Sequence, residues 1–573
     1  MEWIDVDDPA RPQKLAARVA VCRSFLAVQA FGPYAPRLHE LGLKAKREDG
    51  ALVTFVPVAL VPRVLDILPV QARAWVNNKA PGWADWITEE ERRHSERDRN
   101  REALALSAGT GCDSSSTTIS LQTWKDLYPY QRQGVLWLQM AQGRAILGDD
   151  MGLGKTPQAL VFLESSPASR VLVVCPASVT HNWRKEAARW APSFHFEVAK
   201  NTKDARKRIL AEAAHPREAW VVTWGLLYRI VDELLAAGFD SVVADEAHAM
   251  KEITAKRTRA AVDLLHQAER RLLLTGTPVR NRPKELWSLG HAVDPLEPYF
   301  TVFVPYGERF CGPRNTRLPN GRTVRMYRGK TRVKELNHLI RPFLLRREKT
   351  EVLKDLPPKR RQSIDLVAPA RFTREYQAAV VALREELIRG EGHKALGALA
   401  AMRKEVGAFK VPAALEWLEV LVAASEPVVV FLVHKDVRKT LEEGLEKMKV
   451  RYRAIVGDTP QARRQEIIES FQAGEIDVLI GSEAMKEGVT LTRSSYTLHL
   501  ERFWVPGDEL QAEDRIYRIG QDKTVLCTYL HLQGSLDDHV AALLERKTQT
   551  INEINDRAPI TRHLLRRLEG GRR

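Results

Sequence analysis

Residues 145–160 read AILGDDMGLGKTPQAL. A short apolar run is followed by a glycine-rich turn and then by residues at helical apolar spacing. Strand, turn and helix in that order are what a phosphate-binding loop requires. Gly152 and Gly154, with Leu153 between them, let backbone N–H groups close around phosphate oxygens. Lys155 reaches the β and γ phosphates of a nucleoside triphosphate, and Thr156 can ligate its Mg²⁺, so ATP and Mg²⁺ are the expected cofactors. The strict pattern wants glycine at position 149, where Asp149 stands, and the bland reading is a glycine turn that merely caps a helix.

Outward from this loop, SVVADEAHAMK (241–251) is an apolar strand ending in paired carboxylates. Asp245 is assigned to the metal and Glu246 to the attacking water. Asp-Glu-x-His alone is often a solvated charge cluster, but about ninety residues after a phosphate loop it acquires a chemical task. Between and beyond these strings lie AILG, VLVVCP, WVVTW, SVVADE and RLLLTG, each ending in a turn or a polar residue. Such runs, separated by helical periods, indicate a parallel sheet buried on both faces. The rhythm returns with VVVFLVH, YRAIVG, DVLIGS, YTLHLE and LCTYLHL. The fold class is therefore α/β: two tandem RecA-like parallel-sheet lobes with helical insertions, plus a small N-terminal α/β accessory domain.

The expected organisation is an accessory domain over 1–105, a small-residue linker over 106–120 and a first lobe over 121–292. An insertion and bridge rich in Pro, Gly, Arg and aromatics follows over 293–345, then a second lobe over 346–535 with two inserted helices over 372–408. A brace helix opened by Ser535 and a basic tail fill 536–573.

ELQAEDRIYRIGQ (509–521) places Arg515 and Arg518 three apart, on one side of a helical turn, so both can point across a cleft at a γ-phosphate. The alternative is a surface ion-pair helix of little energetic weight.

With 88 Lys and Arg against 73 Asp and Glu, the 573-residue chain carries +15. That balance favours a polyanionic partner through counterion release. Five scattered cysteines, with no CxxC pair, argue against a disulfide scaffold or a zinc ribbon. The most apolar long stretch, TFVPVALVPRVLDILPV, is broken by prolines, Arg63 and Asp66. A soluble, cytoplasmic protein (at the nucleoid in a bacterium, in the nucleus of a eukaryote) without membrane contact is expected.

The wording of the motifs resembles superfamily two ATPases of the SWI/SNF class, double-stranded DNA translocases. GDDMGLGKT resembles that class's phosphate loop, in which an Asp at 149 is normal, and LYPYQRQGVLWL its base-contacting motif, with Gln131 expected on adenine. VLVVCPASVTHNWRKE, VVTWGLL, LLLTGTPVRNRPKELWSL and FLLRREKTEVLKDLPPK resemble its further motifs and its bridge. The resemblance spans roughly residues 121–545. It implies nucleotide contacts at Gly488 and Gln511, and backbone contacts with DNA at Ser178, Thr223, Trp224, Ser482 and Trp504. His434 and Lys435 are either phosphate contacts or a solvated strand end. Met485 and Lys486 replace the glycine pair that most of the class carries in VLIGSEAMKEGVTLTRSS. That departure, with FWVPGDELQAEDRIYRIGQ and MRKEVGAFKVPAALEWL, resembles the annealing-helicase, HARP-containing branch more than nucleosome remodellers.

The resemblance implies ATP hydrolysis driven by duplex DNA, forked or branched, without robust strand separation. Rival readings keep the engine and change its setting: a motor that strips proteins from DNA, or a motor subunit of a restriction or defence assembly. EDGALVTFVPVALVPRVLDIL (48–68) faintly resembles a HARP module. A structural or protein-docking domain is the other reading of that zone, which leaves a protein partner open.

Overall fold

The computed structural model describes residues 4–8, 11–21, 25–30, 45–48 and 51–57, positions 64 and 92, and most of 121–545. Within that last span it leaves out 200, 210–214, 280–281, 318–320, 354, most of 370–391, 483–484, 486–489, 539 and 543. The expected linker, the basic tail and Trp3, Trp75, Trp83 and Trp86 lie outside the described residues.

The first lobe is a seven-stranded sheet. Its strands are β6 (Arg144–Leu147), β7 (Arg170–Cys175), β8 (His195–Val198), β9 (Glu218–Thr223), β10 (Ser241–Asp245), β11 (Arg270–Leu274) and β14 (Leu344–Leu345). They run in the order β14-β6-β11-β10-β7-β9-β8, with every pair parallel. The continuous apolar runs follow from burial on both faces. Leu172 and Val174 pack into one core with Val242 and Ala244, whereas Val171, Val173 and Cys175 pack into the other with Val243. Successive side chains of a strand point to opposite faces, so both parities must be apolar.

The second lobe repeats this plan with β15 (Lys359–Leu366), β16 (Val428–Phe431), β17 (Tyr452–Ile455), β18 (Val478–Gly481), β19 (Tyr496–His499) and β20 (Val525–Leu532). The order is β15-β20-β19-β16-β18-β17, again wholly parallel. Val429 and Phe431 face one core, Val428 and Val430 the other.

Two boundaries differ from the sequence reading. β14 belongs to the sheet of the first lobe, so the bridge begins inside that lobe rather than after it. Of the insertion read as two helices over 372–408, the described residues 372, 374, 376 and 378 are helical, and a further helix, Gly392–Ala423, runs past the expected end. It continues through Pro412 despite the missing N–H, because Val411, Ala414 and Leu418 seat in the second core and the Lys410 ammonium bonds Asp537 at 2.9 Å. The MRKEVGAFK string is the docking face of this helix: a Cβ at Gly407 would lie 2.9 Å from Glu501, and the Arg403 guanidinium covers the Trp504 ring. In the N-terminal zone β1 (Ile4–Asp8), β2 (Arg11–Val21), β3 (Phe25–Ala30), β4 (Ala45–Glu48) and β5 (Ala51–Pro57) form an antiparallel sheet in the order β1-β2-β3-β5-β4. Nearly all of the helical part expected there lies outside the described residues.

The insertion of the first lobe carries the helix Phe303–Phe310 and a separate two-stranded hairpin, β12 (Pro313–Arg317) with β13 (Thr323–Tyr327). At the C-terminal end Ser535 Oγ accepts the Asp537 N–H at 3.2 Å, the expected cap. No helix among the described residues is long and apolar enough to cross a membrane.

Candidate active site between the lobes

The phosphate loop joins β6 to the helix Lys155–Ser165. Gly152 and Gly154 adopt φ of +83° and +71°, a left-handed backbone that suits glycine and turns N–H groups inward at the helix start. Lys155 Nζ donates to the carbonyl oxygens of Asp149 (2.7 Å) and Asp150 (3.3 Å). Burial lowers its pKa, while Glu246, Asp149 and Asp245 act to raise it.

Asp245 ends β10, and each of its carboxylate oxygens is held. Oδ2 accepts Trp183 Nε1–H at 2.8 Å and Oδ1 accepts the Glu246 N–H at 2.9 Å. Burial, then the neighbouring Glu246 charge, push Asp245 up to about 6. A cation beside it would reverse that shift, so the carboxylate suits a metal. Glu246 sits at φ +50°, a strained conformation for a residue with a side chain. Burial acts to raise it, but His248, with Nδ1 3.1 Å from Glu246 Oε2, together with Lys155 and Arg515, holds it at about 2. The glycine cradle, the Lys155 ammonium, the Thr156 hydroxyl and Asp245 together fit a triphosphate with a divalent cation.

The second lobe completes the site. Arg515 is buried, donates Nε–H to the Gln511 carbonyl at 3.1 Å and brings Nη2 to 3.5 Å from Met151 Sδ on the phosphate loop. Arg518 packs on the same loop, where a Cβ at Gly152 would lie 3.2 Å from its Nε. Its Nη1 donates to Thr490 Oγ1 at 2.7 Å. Burial, then repulsion from Arg515, lower the Arg518 pKa to about 10. Two adjacent cations facing a glycine cradle form a site for polyanion charge.

Several residues that hold this arrangement were given no site role in the sequence reading. Asp149 is fully buried and takes a two-pronged bond from Arg347 of the bridge, through Nε at 3.0 Å and Nη2 at 2.5 Å. Arg346 bonds Asp150 at 3.1 Å. Lys349 spans the cleft: its N–H reaches Asp150 at 3.2 Å, and its Nζ bonds Asp514 at 2.9 Å and the Tyr517 carbonyl at 2.6 Å. Those partners each precede one of the two arginines, so the bridge tethers the arginine segment to the phosphate loop. The opposite charges of FLLRREKT and DDMG are compatible with this pairing, but only the topology brings the two segments together. Met151 is wedged between Gly276, where a Cβ would meet it at 2.6 Å, and Arg515.

The remaining residues named from the sequence take varied positions. Gln131 Oε1 accepts the Tyr128 N–H at 3.0 Å and its Nε2 donates to the Leu153 carbonyl at 3.1 Å, which sets it beside the phosphate loop. Gln511 is fully buried beneath Arg515. Gly488 lies outside the described residues. Trp224 is 8% exposed, and its indole N–H donates to the Asp245 carbonyl at 3.0 Å, so its ring supports the end of β10. Thr223 Oγ1 caps the short helix after it by accepting the Leu226 N–H. Ser178 sits at the lobe boundary, its carbonyl accepting Gln461 Nε2–H at 3.2 Å. The His434 ring is 2.5 Å from Glu501 Oε1, whose carboxylate also takes the Val433 and His434 N–H groups, while Lys435 is exposed at a helix start. Ser482 and Trp504 are half-buried on the second lobe.

A phosphate loop on one parallel-sheet lobe, faced by paired arginines on a second, defines a two-lobed P-loop protein of helicase type. Residues 130–405 match the SNF2-related domain and residues 412–520 the helicase conserved C-terminal domain. The chain belongs to the SNF2-related family. It is 33% identical over 460 residues to the SWI/SNF-related matrix-associated actin-dependent regulator of chromatin subfamily A-like protein 1 of Xenopus laevis, covering 76% of this chain and 46% of the relative. The DNA annealing helicase and endonuclease ZRANB3 of Bos taurus is 32% identical over 441 residues, covering 74% and 40%. The chain thus spans less than half the length of either relative. A solved structure, the Sulfolobus solfataricus SWI2/SNF2 ATPase core in complex with dsDNA, covers 77% of this chain and 94% of its own at 24% identity and a TM-score of 0.37. The resemblance to the SWI/SNF class and its annealing-helicase branch is borne out.

Proposed function

We propose that this chain is a DNA-dependent ATPase that hydrolyses ATP between its lobes and uses their closure to move along duplex DNA, acting on forked or branched substrates in repair or replication. The observation that carries the reading is the contact of Arg515 and Arg518 with the phosphate loop. The charge that develops on a transferring phosphoryl group then lies between cations from both lobes.

Lys155 neutralises the β and γ phosphates, and backbone N–H groups of the Gly152–Gly154 turn hold them. Thr156 and Asp245 would hold Mg²⁺, which would supply further neutralisation of the phosphate oxygens. Glu246, held ionised by His248, Lys155 and Arg515, orients the attacking water. Arg515 and Arg518 stabilise the transition state, and Lys349 couples their position to the loop. A net charge of +15 and the SNF2-related membership support DNA as the track. The name of the Bos taurus relative, a DNA annealing helicase, supports a forked or branched substrate.

The test is ATP turnover of the full chain with single-stranded, linear duplex, forked and RNA ligands of equal length. Stimulation by duplex-containing DNA, strongest with the fork, is expected. A response to RNA alone overturns the reading.

A further inference from the structure

Between Gly312 and Lys334 the chain carries eight Lys and Arg and no Asp or Glu. Most of this stretch is the hairpin of β12 and β13, a two-stranded sheet separate from both lobe sheets. A lone two-stranded ribbon is marginal in water, so its fixed position needs a cause. Tyr327 supplies it by packing edge-on against Phe303 at 5.2 Å and donating its hydroxyl to Glu308 at 2.9 Å. Arg325 adds two bonds to the same carboxylate, at 2.9 and 2.6 Å. The ribbon is thus pinned at its base by one arginine and one tyrosine.

Four of the other charges have no such structural task among the described residues. Arg314, Arg317, Arg328 and Lys334 are exposed, and none of the described residues pairs with them. In the register Arg314 lies opposite Met326, and Asn315 opposite Arg325. Opposed residues share a face, so Arg314 projects from the face away from the one that Arg325 ties to Glu308. Like charges crowded on a narrow ribbon repel, and no acidic side chain among the described residues pairs with these four. Arginine is moreover the residue whose planar fork matches phosphate.

We propose that the paired strands β12 and β13 (Pro313–Arg317 and Thr323–Tyr327), with Arg328 beside them, are a second DNA-docking element, a basic ribbon that grips the phosphates of a duplex outside the ATP site. It rests on the reading of this chain as a DNA-dependent ATPase. Charge complementarity selects the occupant, and a two-stranded ribbon is of a size that the major groove of B-DNA admits.

The experiment measures duplex affinity of the full chain from roughly 50 to 200 mM salt. The wild type is compared with Arg314→Ser/Arg317→Ser/Arg328→Ser and with the same three positions changed to Lys. Loss of three phosphate contacts should flatten the log–log salt slope by about 2 to 3 and weaken binding about tenfold or more at the lower salt. The Lys variant should keep the wild-type slope, and denaturant midpoints should be equal for all three proteins. If the Ser variant unfolds, Arg314→Glu on the outward face provides the comparison and should flatten the slope by about 1 or more. A Ser or Glu variant with wild-type slope and affinity overturns the hairpin proposal alone, and an acidic protein as the true occupant would give that result. A wild type that binds no duplex overturns the DNA reading itself.

Discussion

Replacing Arg518 with Ala is expected to lower ATP turnover about 10³-fold or more while leaving the unfolding midpoint at or slightly above the wild-type value. The first half follows from position, since the guanidinium packs directly on Gly152 of the phosphate loop. In water a single charge there would matter little. In a closed cleft it meets charge that appears only in the transition state, so its loss falls on kcat rather than on KM. The second half follows from the cost of keeping it there. Burial and the Arg515 charge lower the Arg518 pKa to about 10, so its charged form is held against an electrostatic gradient. Removing it relieves that repulsion. Arg518→Lys should recover part of the rate, because charge returns without the planar fork. Turnover of the Ala variant within tenfold of wild type, or a large drop in stability, contradicts this assignment.

The second large effect is on stability. Glycine at position 149 would bring the loop to the strict phosphate-loop pattern, yet Asp149→Gly is expected to destabilise the first lobe by about 3 to 5 kcal/mol. Asp149 is fully buried and is bonded by Arg347 through its backbone N–H, Nε and Nη2. Gln158 joins both, donating to Asp149 at 3.2 Å and accepting from Arg347 at 2.8 Å. Deleting the carboxylate leaves a guanidinium inside the lobe without its counter-charge, which is the expensive way to break a buried pair. Arg347→Ala should cost a similar amount from the other side. Asp149→Leu/Arg347→Met should regain much of the loss, since an apolar pair of similar volume carries no stranded charge. Denaturant midpoints of the four proteins check this, and a loss below about 1 kcal/mol for Asp149→Gly would contradict it.

What the sequence made legible follows from burial. Central strands such as VLVVC and SVVAD are apolar at both parities because both faces of the sheet are covered, and they stand out from any polar surrounding. Edge strands do not. β15, KRRQSIDL, is largely exposed and mostly polar, and β8, HFEV, has only one fully buried residue, so neither announces itself by hydropathy. β14 is two residues long and exists through its pairing with β6. The long helix over 392–423 was obscured by Pro412, a residue that ordinarily ends a helix.

The chemistry divides the same way. Lys155, Asp245, Glu246 and the two arginines sit at fixed spacings on local strand–turn–helix units, so local sequence suffices to name them. The residues that aim them act over long separations: Trp183 to Asp245, Arg347 to Asp149, Lys349 to Asp514. A bridge between distant segments is set by topology, which no local pattern encodes. Trp224, expected from its motif along the DNA backbone, has a task of the same long-range kind, its indole N–H supporting the strand end that carries Asp245.

The most direct test of a DNA-driven site shared by the two lobes is steady-state ATP hydrolysis with Mg²⁺ as linear duplex DNA is added to saturation. The wild-type chain and Glu246→Gln are measured side by side. Turnover that rises with duplex in the wild type and is abolished in Glu246→Gln is the expected result. Turnover indifferent to DNA, or surviving the loss of the Glu246 charge, would contradict it.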